Sequence, residues 1–188
     1  MRLFPSFLIL LIFNISMVHA NDFEPEDKSG WQLSLGLGFH NLSFDENYNN
    51  SESGIATSLQ IGYVFKNEVF VYYENNVNFY NAASYSGDQL SVNGITGLGV
   101  RYNLSNIWYI SGLYGLAIDR ALLPEYDEDE FSATGTGIGL SLGYTISENF
   151  SVETNYMTFN LDELETYYRN SSIDVDGNAL RVIARYTF

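Results

Sequence analysis

The chain has 188 residues, 23 acidic and 8 basic side chains, a formal net charge of −15 and no cysteine. That balance argues against a nucleic-acid partner, which needs Lys and Arg to neutralise phosphates. The missing cysteine excludes disulfides and thiolate chemistry. Sixteen glycines, fifteen tyrosines and only three prolines suit a sheet protein whose strands are seldom interrupted.

Met1-Arg2, the apolar-rich stretch Leu3–Val18 and the small Ala20 read as a signal peptide cleaved after residue 20. About 16 apolar-rich residues fall short of the ~20 that a spanning helix prefers. Residues 21–29 form an acidic leading segment, and 30–188 are one domain's worth of chain.

Beyond residue 29, parity is the main signal, because alternate residues of a strand face opposite sides. A strand over 30–40 sets Trp31, Leu33, Leu35, Leu37 and Phe39 against Gln32, Ser34, Gly36, Gly38 and His40. The next, 55–65, opposes Ile55, Leu59, Ile61, Tyr63 and Phe65 to Ala56, Ser58, Gln60 and Gly62. In a third, 68–80, Val69, Val71, Tyr73, Val77 and Phe79 share a face with the discordant Asn75, and a bulge is one remedy. The fourth, 90–103, opposes Leu98, Val100 and Tyr102 to Gly97, Gly99 and Arg101. The fifth, 107–118, is apolar on both faces, with Trp108, Ile110, Tyr114, Leu116 and Ile118 the preferred outer set. The sixth, 133–145, places Ile138, Leu140, Leu142 and Tyr144 opposite Gly135, Gly137, Gly139, Ser141 and Gly143. The seventh, 149–159, opposes Phe150, Val152, Thr154 and Tyr156 to Ser151, Glu153 and Asn155.

The eighth, 180–188, carries Leu180, Val182, Ala184, Tyr186 and Phe188 on one face and Arg181 and Arg185 on the other. This Tyr-x-Phe ending resembles the closing strand of Gram-negative outer-membrane β-barrels. Short connections at 66–67, 105–106 and 147–149 alternate with long polar segments at 41–54, 81–89, 119–132 and 160–177, as in bacterial barrels. Trp31, Phe65, Tyr102, Trp108, Tyr144, Phe150, Tyr186 and Phe188 fall at the short-turn ends, where an aromatic girdle belongs. Phe39, Phe79 and Tyr156 lie towards the opposite rim.

The chain is therefore read as all-β: an eight-stranded antiparallel up-and-down transmembrane β-barrel. A soluble lipocalin-like barrel would bury its apolar face inside. Here the other face is mostly Gly, Ser, Asn, Gln and charge. The whole segment 30–188 resembles the small barrels typified by the transmembrane domain of outer-membrane protein A and the X and opacity types. That resemblance implies an outer-membrane location with both termini periplasmic, contact with membrane lipid and lipopolysaccharide, and recognition of the last strand by the barrel-assembly machinery. It also implies a monomeric scaffold whose loops meet the outside world.

Charges inside so narrow a barrel should pair, because an unpaired buried ion is costly. The expected lumen network is Arg101, Arg181 and Arg185 with Glu153, Glu74 and Glu68, pairing Glu153 with Arg185 and Arg101 with Glu68 or Glu74. The alternative is a charged constriction in a low-conductance pore. The negative excess falls in the long polar segments and in 21–29. Asp127-Glu128-Asp129-Glu130 and the pair Asp174 and Asp176 are candidates for weak Ca²⁺ or Mg²⁺ binding, without the spacing of a defined calcium loop. No resident cofactor is expected. Lipid-A-modifying barrels use His with Ser, but only His40, with Ser43 nearby, survives signal cleavage, and no His-x-Ser pattern is present. A non-enzymatic surface barrel is the leading expectation.

Overall fold

The structure, a computed structural model, describes residues 29–44, 51–66, 69–84, 87–122, 131–166 and 168–188. The expected signal peptide and most of the acidic leading segment lie outside the described residues. Eight strands follow in chain order: β1 (Gly30–Phe44), β2 (Ser51–Phe65), β3 (Val69–Ser84), β4 (Gly87–Asn103), β5 (Trp108–Ala121), β6 (Phe131–Ser147), β7 (Phe150–Thr166) and β8 (Arg169–Thr187). They form a closed barrel in sequence order, each strand antiparallel to its neighbours, with β8 returning to β1.

The ladder fixes the barrel's dimensions. From Trp31 the register passes through Tyr63, Val71, Val100, Gly112, Leu140, Tyr156 and Leu180, and returns to Asn41, ten residues further along β1. Eight strands with a stagger of ten, at ordinary strand spacing and rise, tilt by about 40°. Ten residues at that tilt climb about 25 Å, the height of a membrane-spanning apolar band.

The outer surface fills that band with apolar side chains. Trp31 is 76% exposed, Leu37 62% and Leu98 69%, whereas Arg181 and Arg185 inside are each 1% exposed. Aromatic pairs concentrate at the short-turn end: Trp31 with Tyr63, Trp108 with Tyr144, and Tyr186 with Phe188, at centroid distances of 5.9, 4.9 and 5.0 Å. The seam between β1 and β8 is tied there as well. Phe188 N donates to Leu33 O (2.9 Å), and the Ser34 and Thr187 hydroxyls meet at 2.9 Å. Asn149, in the β6–β7 turn, donates through Nδ2 to Thr187 O and accepts from Thr187 N, both at 2.8 Å.

Asn75 does face outward among apolar neighbours, yet the β3–β4 pairs Asn75↔Thr96 and Asn78↔Asn93 keep one register across the two unpaired residues between them. No bulge is required, because Asn75 Nδ2 donates to Thr96 Oγ1 across the strands at 2.8 Å. In β5, the preferred outer set is the exposed one, and Tyr109, Ser111, Leu113, Ala117 and Asp119 point into the lumen.

The four long segments expected as loops are, in large part, continued strand. β1 runs to Phe44, β5 to Ala121 and β7 to Thr166, while β8 begins at Arg169 rather than at 180. β7 and β8 stay paired to Thr166↔Arg169, about 25 Å beyond Tyr156↔Leu180. Polar residues there replace lipid contact by water contact, and the hydrogen-bonded ladder simply continues. The β2–β3 ladder is the exception. It stops at Ile55↔Phe79, while β1–β2 continues to Ser43↔Ser51 and β3–β4 to Ser84↔Gly87. The wall therefore forks above Phe79.

Glycines on the inner face make room for rings. Tyr109 lies directly opposite Gly143, and Tyr72 opposite Gly99; a Cβ at either glycine would run into the facing ring. Gly143→Ala is expected to destabilise the barrel by ~1–3 kcal/mol through overpacking. The check is the urea midpoint of the heat-modifiable gel band of refolded protein; an unchanged midpoint would refute this packing.

Candidate functional site

The lumen is the interior that the described strands enclose, and its half nearer the short turns is charged. Arg185, on β8, extends Nη2 to Glu74 Oε1 at 3.3 Å and to Glu153 Oε1 at 3.4 Å, with all three side chains buried. Its Nη1 donates to Ser58 Oγ at 2.9 Å, and Ser58 in turn donates to Glu74. Gln60 Nε2 donates to the other Glu74 oxygen at 2.9 Å, and Arg101 Nη2 donates to Gln60 Oε1 at 2.7 Å. Tyr109 OH reaches Glu153 Oε2 at 3.2 Å. The Arg101 guanidinium also lies over Phe70 (4.9 Å) and Tyr109 (4.5 Å), where the ring quadrupole favours a cation. One hydrogen-bonded network thus crosses the bore from β2 and β3 to β7 and β8.

Four of the six residues expected in that network, Arg101, Arg185, Glu74 and Glu153, meet in this layer. Arg101 reaches the carboxylates through Gln60 and its aromatic neighbours. Arg181 sits higher and takes a different set: Asn76 Oδ1, Thr57 O at 3.0 Å and Met157 Sδ at 3.3 Å. Glu68 lies outside the described residues. Gln60, Ser58 and Tyr109 complete the layer. Their inward parity was readable for Gln60 and Ser58, but nothing in the chain marks which acid each would join.

The half towards the long hairpins is apolar to a degree the strand pattern hides. Leu42, Tyr80, Ile95, Met157, Phe159 and Leu161 are buried there, and Phe44, Leu164, Ile173 and Val175 pack over them. Phe44 meets Phe159 and Tyr80 at 5.8 and 6.3 Å between ring centres. The small polar lining expected of the whole inner face describes only part of it. Several of these residues lie beyond the expected strand ends. Asp119, expected in a loop, is instead an inward residue of β5 that accepts from Tyr80 OH at 2.6 Å.

His40 has a local duty. Its Nε2 lies 2.9 Å from the Phe79 carbonyl, an acceptor only, so the ring donates there and caps the carbonyl where the β2–β3 ladder ends. Gly54 leaves the passage open, since a Cβ there would strike Phe79 O. Ser43 is of opposite parity on β1 and therefore faces away from His40. The two form no nucleophile–base pair.

Of the cation candidates, Asp127, Glu128, Asp129 and Glu130 lie outside the described residues. Asp174 and Asp176 are exposed on β8 and share one donor, Asn160 Nδ2, at 2.9 and 3.0 Å. Among the described residues no group of three His, Asp or Glu converges on one point.

Removing Arg185 would leave two carboxylates in the bore without their cation. Arg185→Met is expected to cost about 3–5 kcal/mol, and the triple variant with Glu74→Gln and Glu153→Gln to recover much of it. Urea unfolding in lipid vesicles reads both; equal losses in the single and triple variants would sink the network interpretation.

Comparison with known proteins places this geometry in a family. The family described as outer membrane protein beta-barrel domain matches residues 7–188. Ail, the attachment invasion locus protein of Yersinia pestis, superposes with a TM-score of 0.58 at 16% identity, covering 84% of this chain and 98% of its own. Its complex with the heparin analogue sucrose octasulfate gives 0.60 at 17%, covering 84% and 99%. Neisserial surface protein A gives 0.56 at 15% identity, covering 86% and 99%. A search of curated proteins returns no significant match.

Proposed function

We propose, from the premise that this chain belongs to the outer membrane protein β-barrel family, that it is a non-enzymatic surface scaffold whose long hairpins face outward. The observation that carries this reading is the occupied bore. Arg185, Glu74, Glu153, Gln60 and Arg101 bridge it from wall to wall, and the apolar cluster around Phe159 fills the half above. An eight-stranded barrel is just wide enough to be filled by side chains. Such a bore offers neither a solute path nor a catalytic cleft, and its working surface is its outside and its rim.

Orientation follows from chemistry. The extended β7–β8 ribbon carries Asp162, Glu163, Glu165, Asp174 and Asp176, all suited to water. The short-turn end carries the aromatic girdle and, on β8, Tyr186 and Phe188, which suits recognition of that strand during assembly. With both termini on the periplasmic side, the acidic ribbon meets the medium and divalent cations shared with lipopolysaccharide. Ail has been crystallised with a sulfated heparin analogue. This rim is rich in carboxylates and would repel such a ligand, so a partner for it is cationic or cation-bridged.

Two measurements test the reading. In planar bilayers the purified protein is expected to show no discrete conductance; regular openings would establish the narrow pore instead. Because the chain lacks cysteine, Ser172→Cys supplies a single thiol on the ribbon. It is expected to react with a membrane-impermeant maleimide on intact cells, and labelling only after outer-membrane permeabilisation would reverse the orientation.

A further inference from the structure

The fork in the wall opens a groove on the outer surface. Above Ile55↔Phe79, β2 and β3 part, and a cleft lies between them, lined by Ser53, Ile55, Phe79, Asn81 and Leu90 with the backbone of Gly54. All five named side chains have outward parity. Ile55 and Phe79 lie at the top of the apolar band, Ser53 and Asn81 lie two residues higher and are exposed, and Leu90 stands opposite Asn81 at the upper level. The β2 and β3 sides of the groove thus pass from apolar to polar, as an amphiphile standing in the same leaflet does, with Leu90 as an apolar wall beside the polar end.

A cation stands at the polar end. Arg120, on β5, is exposed and outward, opposite Val92 of β4 and hence a diagonal neighbour of Leu90. Diagonal positions lie about 7–8 Å apart, within the reach of an arginine stem. Arg120 makes no ion pair among the described residues. Among the residues whose side chains are described, the nearest carboxylates on that outer face, Glu163 and Glu165, belong to β7, beyond Ser132 and Thr134 of β6. In a chain with this few basic residues, an exposed arginine at headgroup height is a specific provision for an anion. Its planar fork matches a phosphate in two-point contact.

We propose that this groove is a fixed lipid site. One acyl chain of an outer-leaflet glycolipid lies along Ile55 and Phe79, Leu90 flanks its upper end, and its phosphate is held by Arg120. Naming the outer leaflet rests on the orientation proposed above, whereas the binding itself does not. Lipid fills the fork that the β2–β3 ladder leaves open, and His40 caps the last carbonyl from within.

The test uses the refolded full barrel, bisphosphorylated lipid A as probe and native mass spectrometry of the protein released from micelles. Wild type is expected to retain lipid A and to retain its dephosphorylated form less well. Arg120→Gln should lower retention roughly fivefold, the effect of one cation at an anionic surface. Leu90→Ser should weaken both lipid forms, and Lys66→Gln, at the opposite rim, should change neither. Equal retention by wild type and Arg120→Gln would overturn the proposal, as would a wild type that retains no lipid A. If Ser172→Cys labels from outside and retention is nevertheless absent, only the lipid site fails. If retention is found and the label enters from inside, only the orientation fails.

Discussion

Every backbone N–H and C=O that enters hydrocarbon must find its partner within the protein, and the rest of this structure follows from that demand. A sheet meets it only by closing, and closure with eight strands and a stagger of ten leaves a bore about as wide as two facing side chains. The bore cannot be left empty. Nor can its backbone come near without small residues opposite large ones, which is why Tyr109 faces Gly143 and Tyr72 faces Gly99. The wall's chemistry and the lumen's packing are two consequences of one ladder.

Within the bore, charge and apolar volume are kept in separate layers. Arg185 is flanked by two carboxylates, and Arg101 is joined to one of them, Glu74, through Gln60, so charge is balanced locally by groups on five strands. Those strands are far apart in sequence: β2, β3 and β4 supply Ser58, Gln60, Glu74 and Arg101, while β7 and β8 supply Glu153 and Arg185. Such links brace the cylinder across its diameter, which the wall's own hydrogen bonds cannot do. The apolar layer near the long hairpins lets the ribbon's inner side, Leu164, Ile173 and Val175, pack back on the barrel. The ribbon therefore rises from the mouth with one side anchored.

Much of this was legible in the chain because lipid imposes a strict two-residue period. Every strand was identifiable, the outer face of β5 was chosen correctly although both its faces are apolar, and Glu153 was matched with Arg185 by depth alone. Legibility ended where lipid ends. Beyond the band the outer residues turn polar, the alternation flattens, and β7 and β8 look like loops although their ladder continues for ten residues or more. Asp119 was misplaced for the same reason: its parity continues that of Tyr109 and Ser111, but the strand had been closed at residue 118. Parity assigns a face and a height. It does not say that Arg181 turns to Asn76 and Thr57 rather than to an acid, because that choice depends on which side chain spans the bore first.

The fork at Phe79 shows how a local defect in the governing rule becomes a feature. A ladder that stops leaves carbonyls and N–H groups facing a gap at the edge of the membrane, where each unsatisfied group is expensive. One of them, the Phe79 carbonyl, is met from inside by His40, the histidine that would otherwise suggest catalysis. That donation needs Gly54 to stand aside, so a glycine on β2, a histidine on β1 and a carbonyl on β3 act together at one point. On the outer side the same gap is lined by apolar groups below and polar groups above. At this seam both flanking strands run on beyond the last shared pair, so the gap lies within the wall and not at its rim. Leaving it open, with Arg120 within reach, gives the proposed site its place, where a lipid is held rather than merely touched.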